Sequence, residues 1–136
     1  MISVTVSFAV SPHTVGRNNL YCNAVHNVYA KVYNVQSTLE NYHAYQMNHM
    51  INEFGLLDSM DAKTQQEVKT NITNAILGTD MTKHFEITAK LKKTLHEKDK
   101  HKGFLLTALL HAVDIGNPGL PLDTAMKWAY RITQEF

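Results

Sequence analysis

Cysteine is nearly absent. Cys22 is the only one, so no disulfide can close within the chain and a CxxC metal site is excluded. No sign of charge prevails either: thirteen basic against twelve acidic side chains leave a formal net charge of +1. That balance gives no electrostatic case for nucleic acid or an anionic membrane as partner. No apolar run reaches the roughly 18 to 20 residues that a spanning helix needs. Met1 to Val10 has no basic n-region and makes a poor signal peptide. Internal repeats, low-complexity tracts and long linkers are missing as well. A cytoplasmic setting is the expectation, with a membrane tether elsewhere in a longer protein left open.

What is present reads as globular. The 136 residues are enough for one domain with a real core, and 44% hydrophobic with 18% charged residues is not the composition of a disordered chain. Eight histidines direct attention to metal or acid–base chemistry. Met1 to Pro12 alternates like a strand, with Val4, Val6, Phe8 and Val10 on one face. From Asn18 the pattern turns helical. Asn18-Asn19 caps a segment to about Tyr33, with Leu20, Ala24, Val28 and Val32 at spacing four. Ser37-Thr-Leu-Glu40 reads as a capping box opening a helix to about Glu53, ended by Gly55. Asp61 caps a helix to Leu77, terminated by Gly78, and Thr79 or Asp80 caps another through Phe85, Ile87, Leu91 and Leu95. A charged connection, His96 to Lys102, leads to a helix from Phe104, and a last helix spans Pro121 to Phe136. With about six helices and short links, the expectation is an all-α compact domain.

The stretch Phe104 to Phe136 carries the strongest signal. Phe104 to Val113 is apolar except for Thr107 and His111, Asp114 follows, and glycines and prolines then break the chain. A carboxylate at the mouth of a buried helix, three residues after a histidine, costs free energy unless something pairs with it. The partner is a metal ion or catalytic group, or else Asp114 is an ordinary polar helix terminus.

His111-Ala-Val-Asp114-Ile-Gly-Asn117-Pro118, with Trp128, Arg131-Ile132 and Glu135-Phe136 after it, resembles the class I cyclic-nucleotide phosphodiesterases. Their catalytic domains carry H-x-x-D-[LI]-x-N-P followed by W-x-x-R-[IV]-x-x-E-F. Ser37 to Ala44, STLENYHA, is similar to the family's S-V-L-E-N-x-H-A, and Thr79 to His84, TDMTKH, is similar to its T-D-M-[ST]-x-H. The resemblance implies hydrolysis of cAMP or cGMP to the 5′-monophosphate by two metals, Zn²⁺ with Mg²⁺ or Mn²⁺. It implies Asp114 as a metal ligand and His13 as a second. Glu40 and His43 would orient metal-bound water, and Thr79, Met81, Asn117, Trp128 and Ile132 would line or back the nucleotide pocket.

One family motif is damaged. Where the family has H-D-x-x-H-P-G-x-x-N, placing His13 on the first histidine takes a three-residue deletion and sets Thr14 on the bridging aspartate. Without the gap, Val10 and Ser11 fall there. None of these can replace a bridging carboxylate. His26-Asn-Val-Tyr-Ala30 imitates the family's H-N-x-x-H out of order, and His26 reads as a helix-face residue. The expectation is therefore a division into a leader, residues 1–17, with a degraded H-D motif, and a partial catalytic domain of the HD/cyclic-nucleotide phosphodiesterase type, residues 18–136, truncated at both ends and inactive alone. The alternative is a non-catalytic helical interaction module, with a helix-mediated oligomer as its form of partnership.

Overall fold

The computed structural model describes residues 18–94 and 101–135, and across them the protein is all-helical. The strand-like stretch Met1 to Pro12, His13 and residues 95–100 lie outside the described residues. In chain order come α1 (Asn19–Ala24), α2 (Val28–Val32), α3 (Thr38–Glu53) and α4 (Ala62–Leu77). A 3-10 turn (Met81–Lys83) runs into α5 (His84–Thr94), followed by α6 (Lys102–Asp114), a second 3-10 turn (Asn117–Gly119) and α7 (Leu122–Glu135).

Several helix ends follow local chemistry. Asn18 Oδ1 accepts the Tyr21 N–H at 2.8 Å, and Asp61 Oδ1 accepts those of Lys63 and Thr64 at 3.0 and 3.1 Å, each satisfying amides that have no partner inside the helix. Gly55, at φ +60°, takes the left-handed turn after α3.

Two expectations at the start of the chain are corrected. The segment expected as one helix to Tyr33 is two short ones, because the backbone turns left-handed at His26 (φ 46°) and Asn27 Oδ1 caps α2 through the Ala30 N–H at 2.8 Å. His26 is thus an exposed turn residue and not a helix-face residue. The buried face is Cys22 and Ala30, while Leu20, Val28 and Val32 are exposed. The capping box at Ser37 does not form. Ser37 is itself left-handed, at φ 41°, and makes no side-chain cap. The first turn of α3 is capped from α1 instead, where Asn19 Oδ1 accepts the Leu39 N–H at 2.9 Å.

Helix α4 lies against both α3 and α6 and is the centre of the packing. The core draws Leu39, Tyr42, Ala44 and Ile51 from α3, Ala75 and Ile76 from α4, Ile87 from α5 and Ala108 from α6. The Tyr29 and Tyr42 rings, with centroids 4.2 Å apart, seat α2 on α3. Helix α6 is not the leucine-buried helix that its composition suggests. It buries Thr107, Ala108 and His111 and leaves Leu106 and Leu109 more than half exposed. Small residues set this choice. Gly78 ends α4 with an ordinary right-handed φ of −74°, so its value lies in space: a Cβ there would collide with Thr107 Cγ2. The outward leucines, with Val68 and Ile72, line an apolar groove of about 310 Å³ between α4 and α6. Helix α7 packs mainly on the Asn117–Gly119 turn, with Leu122, Met126, Tyr130 and Ile132 exposed. Among the described residues no helix is long and apolar enough to cross a membrane.

Gly78→Ala is expected to destabilise the protein by about 1–3 kcal/mol, the usual cost of overpacking a close contact. Thr107→Ser removes the clashing methyl and keeps the hydroxyl that donates to the Gly103 carbonyl. Urea denaturation of the single and double variants checks this: Gly78→Ala/Thr107→Ser should recover most of the loss.

Candidate functional site

A cavity of about 710 Å³ opens between the α1 region, the N-terminal end of α3 and the turn after α4. Glu40, Thr79 and Met81 all line it, together with Asn19, Ser37 and Asp80. Three of the residues expected at the site are therefore brought to one wall-lined space from three parts of the chain.

The carboxyl of Glu40 is held by Asn19, whose Nδ2 donates to Oε2 at 2.8 Å. Its pKa is raised. Burial is the largest cause and the neighbouring Asp80 charge adds to it, while the bond from Asn19, its own backbone amide and Lys83 act the other way. Glu40 therefore holds a proton more readily than an exposed glutamate.

Asp80 has the opposite balance. It is 5% exposed, and burial alone would push its pKa up. That is outweighed by the Ser37 hydroxyl donating to Oδ2 at 2.6 Å, by the Thr82 hydroxyl and N–H donating to Oδ1 at 2.7 and 2.9 Å, and by the charge of Lys83. The result is a stable carboxylate that joins the two sides of the cavity. Ser37 pays for this in backbone conformation, and Asn34, Val35 and Ser37 are left-handed together, each a position that costs about 1–2 kcal/mol for a non-glycine residue. Asn41 Nδ2 donates to the carbonyls of Gln36 and Ser37, and Asn23 Nδ2 to that of Val35, which hold the turn.

His43 sits one turn after Glu40 on α3. Its Nε2 is buried with no hydrogen-bond partner, and burial lowers its pKa to about 4. It is a neutral imidazole at pH 7.

Asp114, Asn117, Trp128 and Ile132 do not line this cavity. Asp114 is half-buried at the end of α6, Asn117 opens the second 3-10 turn, and Trp128 and Ile132 lie on α7, where the Arg131 guanidinium stands 5.8 Å from the Trp128 ring centroid. Among the described residues no group of three or more His, Cys, Asp or Glu side chains could hold a metal ion.

A family model described as 3′,5′-cyclic nucleotide phosphodiesterase matches residues 12–136. The chain belongs to this phosphodiesterase family. Among its relatives, a high-affinity cAMP-specific, IBMX-insensitive 3′,5′-cyclic phosphodiesterase 8 of Drosophila melanogaster is 28% identical, over 100% of this chain and 17% of its own length. A dual-specificity calcium/calmodulin-dependent 3′,5′-cyclic nucleotide phosphodiesterase 1 of the same organism is 29% identical, over 79% of this chain and 13% of its own length. The phosphodiesterase domain of a RhoPDE fusion protein from the choanoflagellate Salpingoeca rosetta superimposes with a TM-score of 0.80 at 29% identity, covering 88% of this chain and 41% of that one. The chain thus spans under a fifth of these curated phosphodiesterases and under half of the solved domain. Its all-helical architecture is that of the family's catalytic domain.

The residues that sequence reading missed around this cavity are supporting ones. Asn19, read only as a cap for its own helix, orients Glu40 and caps α3. Ser37, read as a capping residue, serves Asp80 across 43 positions of sequence. A serine and an aspartate that far apart give no local signal.

His43 generates a pH prediction. Its folded pKa of about 4 lies below the ordinary 6.5, so between these values the unfolded chain binds the extra proton. Stability contributed by neutral His43 is then present above pH 6.5 and lost as pH falls toward 4. Between pH 7 and pH 5 this amounts to about 2 kcal/mol. His43→Gln should remove that part of the pH dependence in denaturant titrations at the two pH values.

Proposed function

We propose that the chain contributes to a site that hydrolyses 3′,5′-cyclic nucleotides, cAMP or cGMP, to 5′-monophosphates, and that by itself it binds nucleotide without turnover. The observation that carries the reading is the convergence of Glu40, Thr79 and Met81 on one cavity of about 710 Å³, a volume suited to a small-molecule ligand. In this reading Met81 and Thr79 form a wall for the nucleotide. The Thr79 hydroxyl donates to the Ile76 carbonyl at 2.8 Å, so toward a ligand it acts as an acceptor. In the complete site Glu40, with its raised pKa, would accept a proton from the water that attacks phosphorus, and as the P–O3′ bond breaks that proton is available to the leaving 3′ oxygen. His43 does not line the cavity, and as a neutral imidazole one turn along α3 it adds no charge beside Glu40. Asn117, Trp128 and Ile132, expected behind the purine, do not line this cavity and form no part of that wall.

Zn²⁺ with Mg²⁺ or Mn²⁺ is the expected cofactor set, with Asp114 and His13 as ligands. The described residues do not fit that requirement. A catalytic zinc takes three protein ligands, and Asp114 is the one expected ligand among the described residues. Metal-assisted hydrolysis therefore needs ligands beyond those that the described residues bring together. The lone buried Cys22 is compatible with the cytoplasmic setting expected from the sequence.

A second reading, a helical module that pairs with another copy, is favoured by one observation. The apolar groove between α4 and α6 and the exposed apolar residues of α7 occur on the same molecule, and each would cover the other in a symmetric dimer.

Titration with a fluorescent cAMP analogue, hydrolysis assays with Zn²⁺ and Mg²⁺, and sedimentation velocity test both readings. Saturable binding weakened about tenfold or more by Met81→Asp, without turnover, is the expected outcome. Absence of binding would refute the nucleotide reading, and turnover abolished by Asp114→Ala would refute the claim that the chain is inert alone. A monomer at high concentration, unchanged by Met126→Glu, would refute the dimer.

A further inference from the structure

His84 and His111 lie outside the cavity and outside the residues assigned so far. They meet where α5 packs on α6, with ring centroids 5.2 Å apart and planes at 39°. His84 Nδ1 is 2.9 Å from His111 Nε2. His111 is 3% exposed, and its other nitrogen, Nδ1, is buried with no hydrogen-bond partner.

A nitrogen pair at this distance is a hydrogen bond and needs one N–H and one lone pair. Were His84 Nδ1 the donor, neutral His111 would carry its proton on Nδ1, a buried N–H without an acceptor. Orphaned buried N–H groups are the rarer and costlier defect. The favoured tautomer therefore has His111 Nε2–H donating to His84 Nδ1, with a bare lone pair on His111 Nδ1.

The two rings stand at significant points of the chain. His84 follows directly on the Met81–Lys83 turn, whose first residue lines the cavity. His111 lies one turn before Asp114, and its carbonyl accepts the Ile115 N–H at 3.2 Å, closing the end of α6. The bond between them spans 27 positions of sequence and joins the wall of the cavity to the helix end that carries Asp114.

We infer that His84 and His111 are positioning residues, and that their hydrogen bond fixes the Asp114 end of α6 against the Thr79–Met81 wall. The inference rests on the functional reading of Thr79, Met81 and Asp114 given above. Bulk alone would not suffice, since the constraint lies in a directed N–H···N bond between two elements.

Nuclear magnetic resonance on the labelled full chain provides the test, with His84→Asn, whose amide oxygen replaces the Nδ1 acceptor, and His84→Leu, which keeps bulk and removes it. The expected result is a slowly exchanging imidazole proton on His111 Nε2 in the wild type, retained in His84→Asn and lost in His84→Leu. Amide exchange at Ile115 and Thr82 should rise about tenfold in His84→Leu and within twofold in His84→Asn, the loss of one hydrogen bond. Affinity for the fluorescent cAMP analogue should follow the same order. A wild type lacking the imidazole proton, or His84→Asn failing as fully as His84→Leu, overturns the inference. If the wild type binds no cyclic nucleotide, the functional reading falls, and the proton and exchange measurements still decide the positioning.

Discussion

Burying the Asp80 carboxylate obliges the protein to bring donors to one point, and much of the candidate site follows from where they come. A carboxylate with almost no water contact must be matched by hydrogen bonds or give up its charge. Two donors are local, the N–H and hydroxyl of Thr82, and they shape the turn that carries Met81. The third is the Ser37 hydroxyl, from the far side of the cavity. To deliver it, the backbone enters α3 through left-handed residues, and the helix gives up its own serine cap. Asn19 then supplies the missing cap and steadies Glu40 with its other end. One buried charge accounts for the spacing of the walls, the strained turn and the orientation of the carboxyl expected to handle water.

How much of this was legible depended on the range of the interaction. Caps within three residues of their amides, at Asn18, Asp61 and Asp80, could be read directly, as could the stop at Gly55. The break at His26 could not, because the hydrophobic spacing from Leu20 to Val32 continues through it as though the helix did. Only the left-handed backbone and the Asn27 cap reveal the interruption. Helix α6 misled for another reason. A helix apolar on nearly every side has no polar face to set its phase, and the buried side was chosen by the room beside Gly78, which admits Thr107 and turns Leu106 and Leu109 outward.

The site divides along the same line. The motifs carrying Glu40, Thr79, Met81 and Asp114 were recognisable as a phosphodiesterase resemblance, and the family match bears that out. Their grouping was not recognisable: Glu40, Thr79 and Met81 share a cavity, while Asn117, Trp128 and Ile132 belong to the α6–α7 segment. The histidine pair shows the limit most plainly. His84 and His111 each belong to a motif of the family resemblance, and only the packing of α5 on α6 makes them neighbours.

The brevity of α1 and α2 has a consequence for how the chain acquires its structure. Six and five residues fall well below the length at which a helix holds in water by itself. Each is defined by contacts with α3, the Asn19 cap and the Tyr29–Tyr42 ring pair. Both therefore take helical form only against α3, and whatever loosens α3 releases them with it.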